Sequence, residues 1–161
     1  MTVIEKSPDF AEIKLQYVRK RKQLTTESIR EPEEAYRLLR KIWNHKTIDL
    51  REEMVVVLLN TSKHCIGWCR ISIGGKTATI AELAHIAGLA ILGNAHSVLL
   101  AHNHPSGNPN PSHADIILTK RIMNALHLHG IQLVDHLILY NLGYTSIRSK
   151  IDLVPDLGHL S

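Results

Sequence analysis

The stretch Ser97-Val98-Leu99-Leu100-Ala101-His102-Asn103-His104 decides how the chain is read. Its first five residues carry no charge and suit a short strand buried on both faces. If the strand runs on, period-two alternation brings His102 and His104 to one face, where both imidazoles can reach a single ion. The next seven residues, Pro105 to Pro111, cannot continue it. Pro105, Pro109 and Pro111 remove donors and restrict φ, so the connector is stiff and has little conformational freedom to lose on ordering. Ser112 then opens a helix to about Leu128, with Ile116, Met123 and Leu126 on its apolar face and Gly130 as its stop. Asp115 lies within the first turn, near Ser112.

The spacing His102-x-His104-x7-Ser112-x2-Asp115 suits zinc. Two nitrogens and one carboxylate oxygen fill three tetrahedral positions and leave the fourth for water, as in catalytic sites. A structural zinc site wants four protein ligands, usually rich in cysteine, and nothing supplies them at this spacing. Each piece also has a plainer reading. Ser112-x-x-Asp115 is close to a capping box, and for that pair alone capping is the preferred account. Two histidines at alternate positions are ordinary in a chain holding 11 of them. Taken jointly, the four positions favour a metal site.

This run resembles the JAMM (JAB/MPN+) metalloprotease signature. Its form His102-Asn103-His104-Pro105-Ser106-Gly107, followed by Pro111-Ser112-x-x-Asp115, is similar to the RadC branch. The likeness extends from Arg51-Glu52-Glu53-Met54 to Asp135-His136-Leu137-Ile138 and fades before residue 30. It implies a JAB fold, itself deaminase-like, with zinc held by His102, His104 and Asp115, and Ser112 steadying an oxyanion. It also implies a general base at the start of the upstream strand. Aligning Arg51-Glu52 with the Arg-Glu pair of RadC chains selects Glu52 over Glu53. Alternation lets only one of the two face the metal, and the other is expected to be solvated. His136 is a substitute ligand or, in preference, an orienting or core histidine. Full-length RadC proteins carry a helix-hairpin-helix region, for which the residues before 31 leave no room.

The expected activity is therefore zinc-dependent hydrolysis of a peptide or isopeptide bond in a protein or peptide substrate. A DNA repair or recombination factor and an inactive binding module are the alternatives. A zinc nucleobase deaminase is set aside, because its His-x-Glu and Pro-Cys-x-x-Cys elements are missing.

A length of 161 residues makes one domain, and 44% hydrophobic content supports a globular core. Only 4% of residues are aromatic, so that core is built of Leu, Ile, Val and Ala. No apolar run spans a bilayer and the N-terminus lacks a signal-peptide layout, so the expectation is a cytoplasmic chain without a membrane partner. The net charge of +4 permits nucleic-acid contact. Arg19, Lys20, Arg21 and Lys22 follow an expected strand over 11–18 and could meet DNA phosphate weakly. The solvated reading is preferred, since no aromatic residues interleave to stack on bases. Cys65 and Cys69, four apart, are expected on one face of a strand as reduced core residues. With His64 they would make a poor metal cluster.

The remaining elements follow from periodicity. Ala35, Leu38, Leu39 and Ile42 mark an amphipathic helix over 32–43 with Pro32 in its first turn. Branched aliphatics over 54–60 and 65–73 read as a β-hairpin. A helix over 80–92 ends at Gly93-Asn94, and its Ala84, Ala87, Gly88 and Ala90 suggest close packing on a sheet. Gly74-Gly75-Lys76 lacks the spacing of a phosphate loop. Strands over 132–140 and 144–148, turned by Asn141-Leu142-Gly143, complete the list. The order implies an α/β fold: one mixed sheet flanked by helices. The expected division is 1–30 as an N-terminal strand and basic segment, 31–150 as the JAB-like domain, and 151–161 as a C-terminal tail, loose from Pro155 to Ser161.

Overall fold

The computed structural model describes residues 28–73 and 80–156. The expected strand over 11–18, the basic group Arg19 to Lys22, the Gly74-Gly75-Lys76 stretch and residues 157–161 lie outside the described residues. The elements run α1 (Pro32–Ile42), β1 (Glu53–Leu59), β2 (Cys65–Ile73), α2 (Ile80–Leu92), β3 (Ser97–Asn103), α3 (His113–His127), β4 (Gln132–Tyr140) and β5 (Gly143–Ser146). The five strands form one sheet in the order β2-β1-β3-β4-β5. β3 and β4 are parallel, while β1 pairs antiparallel with both β2 and β3, and β5 antiparallel with β4. The fold is thus the expected mixed α/β sheet with flanking helices.

The sheet has two covered faces, and residue parity sorts them. Val55, Val57, Leu59, Leu99 and Ala101 pack with Ala35, Leu38 and Leu39 of α1. Met54, Val56, Leu58, Val98 and Leu100 pack with Ile86 and Ala90 of α2 and Ile122, Met123 and Leu126 of α3. β1 and β3 are buried along their whole lengths, which explains their unbroken apolar runs. Each fully buried Val or Leu contributes roughly 1.5–3 kcal/mol relative to exposure. Among the described residues no helix is long and apolar enough to cross a membrane.

Parallel pairing of β3 and β4 requires a crossover, and α3 supplies it. The N-terminus of α3 is thereby brought back to the carboxyl end of β3. Gly107, at φ 74°, turns the chain after His104, and Gly130, at φ 68°, ends the crossover helix in the left-handed conformation that favours glycine.

Several local expectations need correction. Cys65 and Cys69 do not share a face. An irregularity between Leu58 and Leu59 pairs Cys65 with Leu59, on the α1 side, and Cys69 with Val56, on the other. Both are free, and burial pushes the Cys65 thiol up to about 11. Gly88 is not a close-packing glycine, since a Cβ there would meet nothing within 4 Å; Ile86 and Ala90 are the contact residues. The β4–β5 turn is Asn141-Leu142, with Gly143 already paired to Tyr140. β5 stops at Ser146, two residues earlier than expected. The tail is tied down at Asp156, whose backbone N–H donates to Asn124 Oδ1 at 3.0 Å and whose carbonyl accepts from Asn124 Nδ2 at 2.8 Å.

Candidate metal centre

His102 ends the even-numbered, α3-facing row of β3 that begins with Val98 and Leu100, and His104 continues it. Although β3 ends at Asn103, the His104 N–H still donates to the Leu139 carbonyl at 2.8 Å, which keeps the next residue in line. Asp115 arrives from the first turn of α3. The three side chains converge. His102 Nε2 lies 3.0 Å from His104 Nε2 and 3.3 Å from Asp115 Oδ1, and His104 Nε2 lies 3.5 Å from Asp115 Oδ2. Among the described residues this is the one group of three or more His, Cys, Asp or Glu side chains gathered tightly enough to hold a metal ion. His64, Cys65 and Cys69 form no such group.

These separations fit zinc. With ligand bonds of 2.0–2.1 Å, tetrahedral geometry places neighbouring donor atoms about 3.3 Å apart. His102 is almost fully buried, whereas His104 and Asp115 are 15% and 13% exposed, so the cluster opens on one side. The nitrogen and oxygen donor set and its three-ligand count match a site with one open position.

The capping reading of Ser112-x-x-Asp115 holds, and it leaves Asp115 within the cluster. Ser112 caps α3, its Oγ accepting from the Asp115 N–H at 3.2 Å, while Asp115 Oδ2 accepts from the Ser112 N–H at 2.6 Å. The Ser112 hydroxyl also donates to Oδ2 at 2.6 Å. The capping box therefore aims the carboxylate: Oδ2 is anchored on the helix end and Oδ1 turns to His102. Burial alone raises the Asp115 pKa. The imidazoles of His102 and His104 and the Ser112 hydroxyl, gathered around it, outweigh burial and hold the carboxyl far below the usual range.

His104 is oriented by the stiff connector. Its Nδ1 lies 2.8 Å from the Asn108 carbonyl, which can only accept, so Nδ1 carries hydrogen and Nε2 turns to the cluster. Its pKa is raised chiefly by the hydrogen bond to Asp115, against burial, with help from the Asn108 carbonyl and the charges of Asp115 and Glu52. A raised folded value has two opposite consequences. The metal-free protein gains stability from His104 protonation below its ordinary value of about 6.5 and loses it as pH rises through the raised one. Metal must displace that proton, so zinc affinity is expected to rise with pH over the same window, with one proton released per ion. Competition titrations between pH 6 and 8, on the order of that window, check this; a pH-independent affinity would contradict it.

Glu52 and Glu53 part company as alternation requires. The β1–β3 register closes with Met54 paired to His102; continued by two residues beyond the strand ends, it would set Glu52 opposite His104, on the α3-facing side. Glu52 is partly buried, and its charge raises the His104 pKa. Glu53 is not solvated, contrary to expectation: it is 1% exposed, between Arg51 Nε at 2.8 Å and Arg70 Nε at 3.0 Å. On the opposite face it meets β2, where Arg70 forms an ion pair with Oε2 that does not close as a hydrogen bond, so the hydrogen bond from Arg51 to Oε1 is the one that holds the carboxylate.

Sequence reasoning missed Asn103. Its fully buried side chain points away from the two histidines, accepts from the Glu53 N–H at 2.7 Å, and donates to the carbonyls of Ile48 and Arg51 at 2.6 and 2.9 Å. It therefore clamps the loop that delivers Glu52. A polar residue inside an apolar strand was the available signal, since burying one without partners is costly. Asn103→Ala is expected to lower stability by roughly 1–3 kcal/mol for each buried group left unpaired, read by denaturant unfolding.

His136 lies behind the cluster, with Nε2 2.7 Å from His102 Nδ1 and Nδ1 2.7 Å from Thr119 Oγ1. Burial, then the His102 charge, pushes its pKa well down. It touches a ligand rather than joining the three. Asp135 turns to the other face, accepting from Ser146 Oγ, the Arg148 N–H and its neighbour's N–H. A cavity on that α1-facing side, walled by Ile29, Ala35, Leu99, Asp135 and Arg148, includes none of the cluster residues.

The sequence model of the RadC-like JAB domain matches residues 29–152. The chain belongs to the RadC-like JAB domain family. Relatives of this JAB domain include UPF0758 proteins of Desulforamulus reducens, 40% identical over 62% of this chain and 44% of the relative, and of Aquifex aeolicus, 33% identical over 76% and 52%. That of Carboxydothermus hydrogenoformans is 37% identical over 74% and 51%. The chain spans about half the length of the curated relatives it matches.

Proposed function

We propose that this RadC-like JAB domain is a zinc-dependent hydrolase of the JAMM type that cleaves a peptide or isopeptide bond. One observation carries the reading: His102, His104 and Asp115 present donor atoms 3.0–3.5 Å apart on the face to which the continued β1 register also turns Glu52. Zinc held by His102, His104 and Asp115 would supply Lewis acidity and would lower the pKa of a bound water to about 7. His102 and His104 offer neutral nitrogens and Asp115 offers charge, which leaves a net positive centre that favours a polarised carbonyl. Glu52 takes the proton of the attacking water and returns it to the leaving amine. Ser112, exposed at the α3 N-terminus, offers a hydroxyl that steadies the developing oxyanion once it lets go of Asp115 Oδ2.

Metal analysis and peptide hydrolysis measured on one purified sample test the reading. The expected result is one zinc per chain and cleavage of a fluorogenic peptide or isopeptide panel that a chelator abolishes and added zinc restores. Cleavage that survives complete removal of metal would refute it.

A further inference from the structure

We propose that His136 and Thr119 are positioning residues: a one-way hydrogen-bond relay from His102 through His136 and Thr119 to the Asp115 backbone holds His102 with hydrogen on Nδ1 and its Nε2 lone pair toward the ligand cluster. This rests on the metal-centre reading above and deepens it.

The direction of the relay is set at its far end. Thr119 lies one turn after Asp115 in α3, and its hydroxyl donates to the Asp115 carbonyl at 2.6 Å, the common back-bond of a helical threonine. A carbonyl only accepts, so the single hydroxyl proton is used there. The same Oγ1 lies 2.7 Å from His136 Nδ1 and, with no second proton, must accept from it. His136 thus carries hydrogen on Nδ1. Its ring nitrogens meet Thr119 and His102, not a carboxylate, and it is fully buried, so a second ring proton would be an uncompensated charge. Its Nε2 is therefore an acceptor, and His102 Nδ1, 2.7 Å away, is the donor. The lone pair of His102 is left on Nε2, the atom 3.3 Å from Asp115 Oδ1.

The Asn108 carbonyl orients His104 in the same sense from the opposite side. Without a cation or a shared proton, two imidazole lone pairs 3.0 Å apart would repel. The relay also braces two ligands against each other. It starts on β3, crosses β4 and ends on the backbone of Asp115 itself, so the partners of His102 and the place of Asp115 are coupled. Thr119 and His136 are fully buried, and both find their polar partners within this chain. Orienting groups of this kind typically change metal affinity about 10–100-fold when removed.

Long-range proton–nitrogen NMR of the metal-free, nitrogen-15-labelled chain reads the tautomers directly. Hydrogen on Nδ1 of both His102 and His136 is expected; a His102 whose Nδ1 carries no hydrogen would overturn the proposal. Thr119→Val removes the hydroxyl that accepts from His136 and donates to the Asp115 carbonyl, with little change of shape. It is expected to weaken zinc binding about 10–100-fold in competition with a chromophoric chelator and to disturb both tautomers, while Thr119→Ser retains them. Wild-type affinity and unchanged tautomers in Thr119→Val would also overturn it. If that variant does not fold, the wild-type spectrum decides alone. A wild-type chain with both Nδ1 hydrogens but no zinc affinity would defeat the metal reading and uphold the relay. Zinc affinity with a metal-free His102 that lacks hydrogen on Nδ1 would do the reverse.

Discussion

Glu52→Gln is expected to keep the fold and the zinc while lowering hydrolysis about 10²–10⁴-fold, the usual contribution of a positioned general base. The amide preserves shape and cannot accept a proton. The continued register sets Glu52 opposite His104, and its charge already acts on that ring. Removing the charge should also lower the His104 pKa, so the rise of zinc affinity with pH begins at lower pH in this variant. Glu53→Gln should behave differently. It weakens a buried carboxylate held by Arg51 and Arg70 on the other face, so stability falls and the chemistry is affected only through the loop. Metal content, thermal unfolding and initial rates for both variants separate the two roles. Full activity in Glu52→Gln beside loss in Glu53→Gln would move the base to Glu53.

Asp115→Ala and His104→Ala are expected to lose zinc, because a three-ligand site reduced to two cannot hold the ion against solvent. Asp115→Ala should cost more than metal. Its carboxylate also accepts from the Ser112 N–H and Oγ, and loss of a cap destabilises a helix by about 1 kcal/mol. Asp115→Asn separates the effects, since an amide oxygen can still receive the Ser112 N–H while the charge that draws the ion is gone. Full zinc occupancy in His104→Ala would refute the constellation. His136 is poorly placed to rescue it, because its Nε2 faces His102 Nδ1 rather than the open side of the cluster.

Much of the fold was legible because its signals are local. α1, α2, β2 and β4 sit where periodicity and composition put them, and Ser112 caps α3 as expected. The grouping of His102, His104 and Asp115 was also legible. Alternation fixes which side of a strand two residues share, and a capping serine fixes where the next turn's carboxylate begins. Misreadings arose where long-range pairing intervened. The two cysteines were separated by an irregularity visible only in the β1–β2 register. Glu53 looked like a solvated acid because Arg70, its partner across the sheet, is 17 residues away in sequence and its pairing depends on the β1–β2 register. β5 ended early because the chain turns at Ile147, whose carbonyl accepts from the Lys150 and Ile151 N–H groups.

The sequence by itself determined the donor set, His102, His104 and Asp115, with a strand before them and a helix after, because spacing along a strand or helix maps directly onto direction in space. Only the tertiary structure decided what stands behind each donor. Asn103 clamping the Glu52 loop, Asn108 orienting His104, and the path from His102 through His136 to Thr119 join residues up to 55 positions apart. No local pattern encodes such partners, since each is chosen by strand order and by the need to satisfy a buried polar group with whatever side chain or carbonyl the packed sheet brings within about 3 Å.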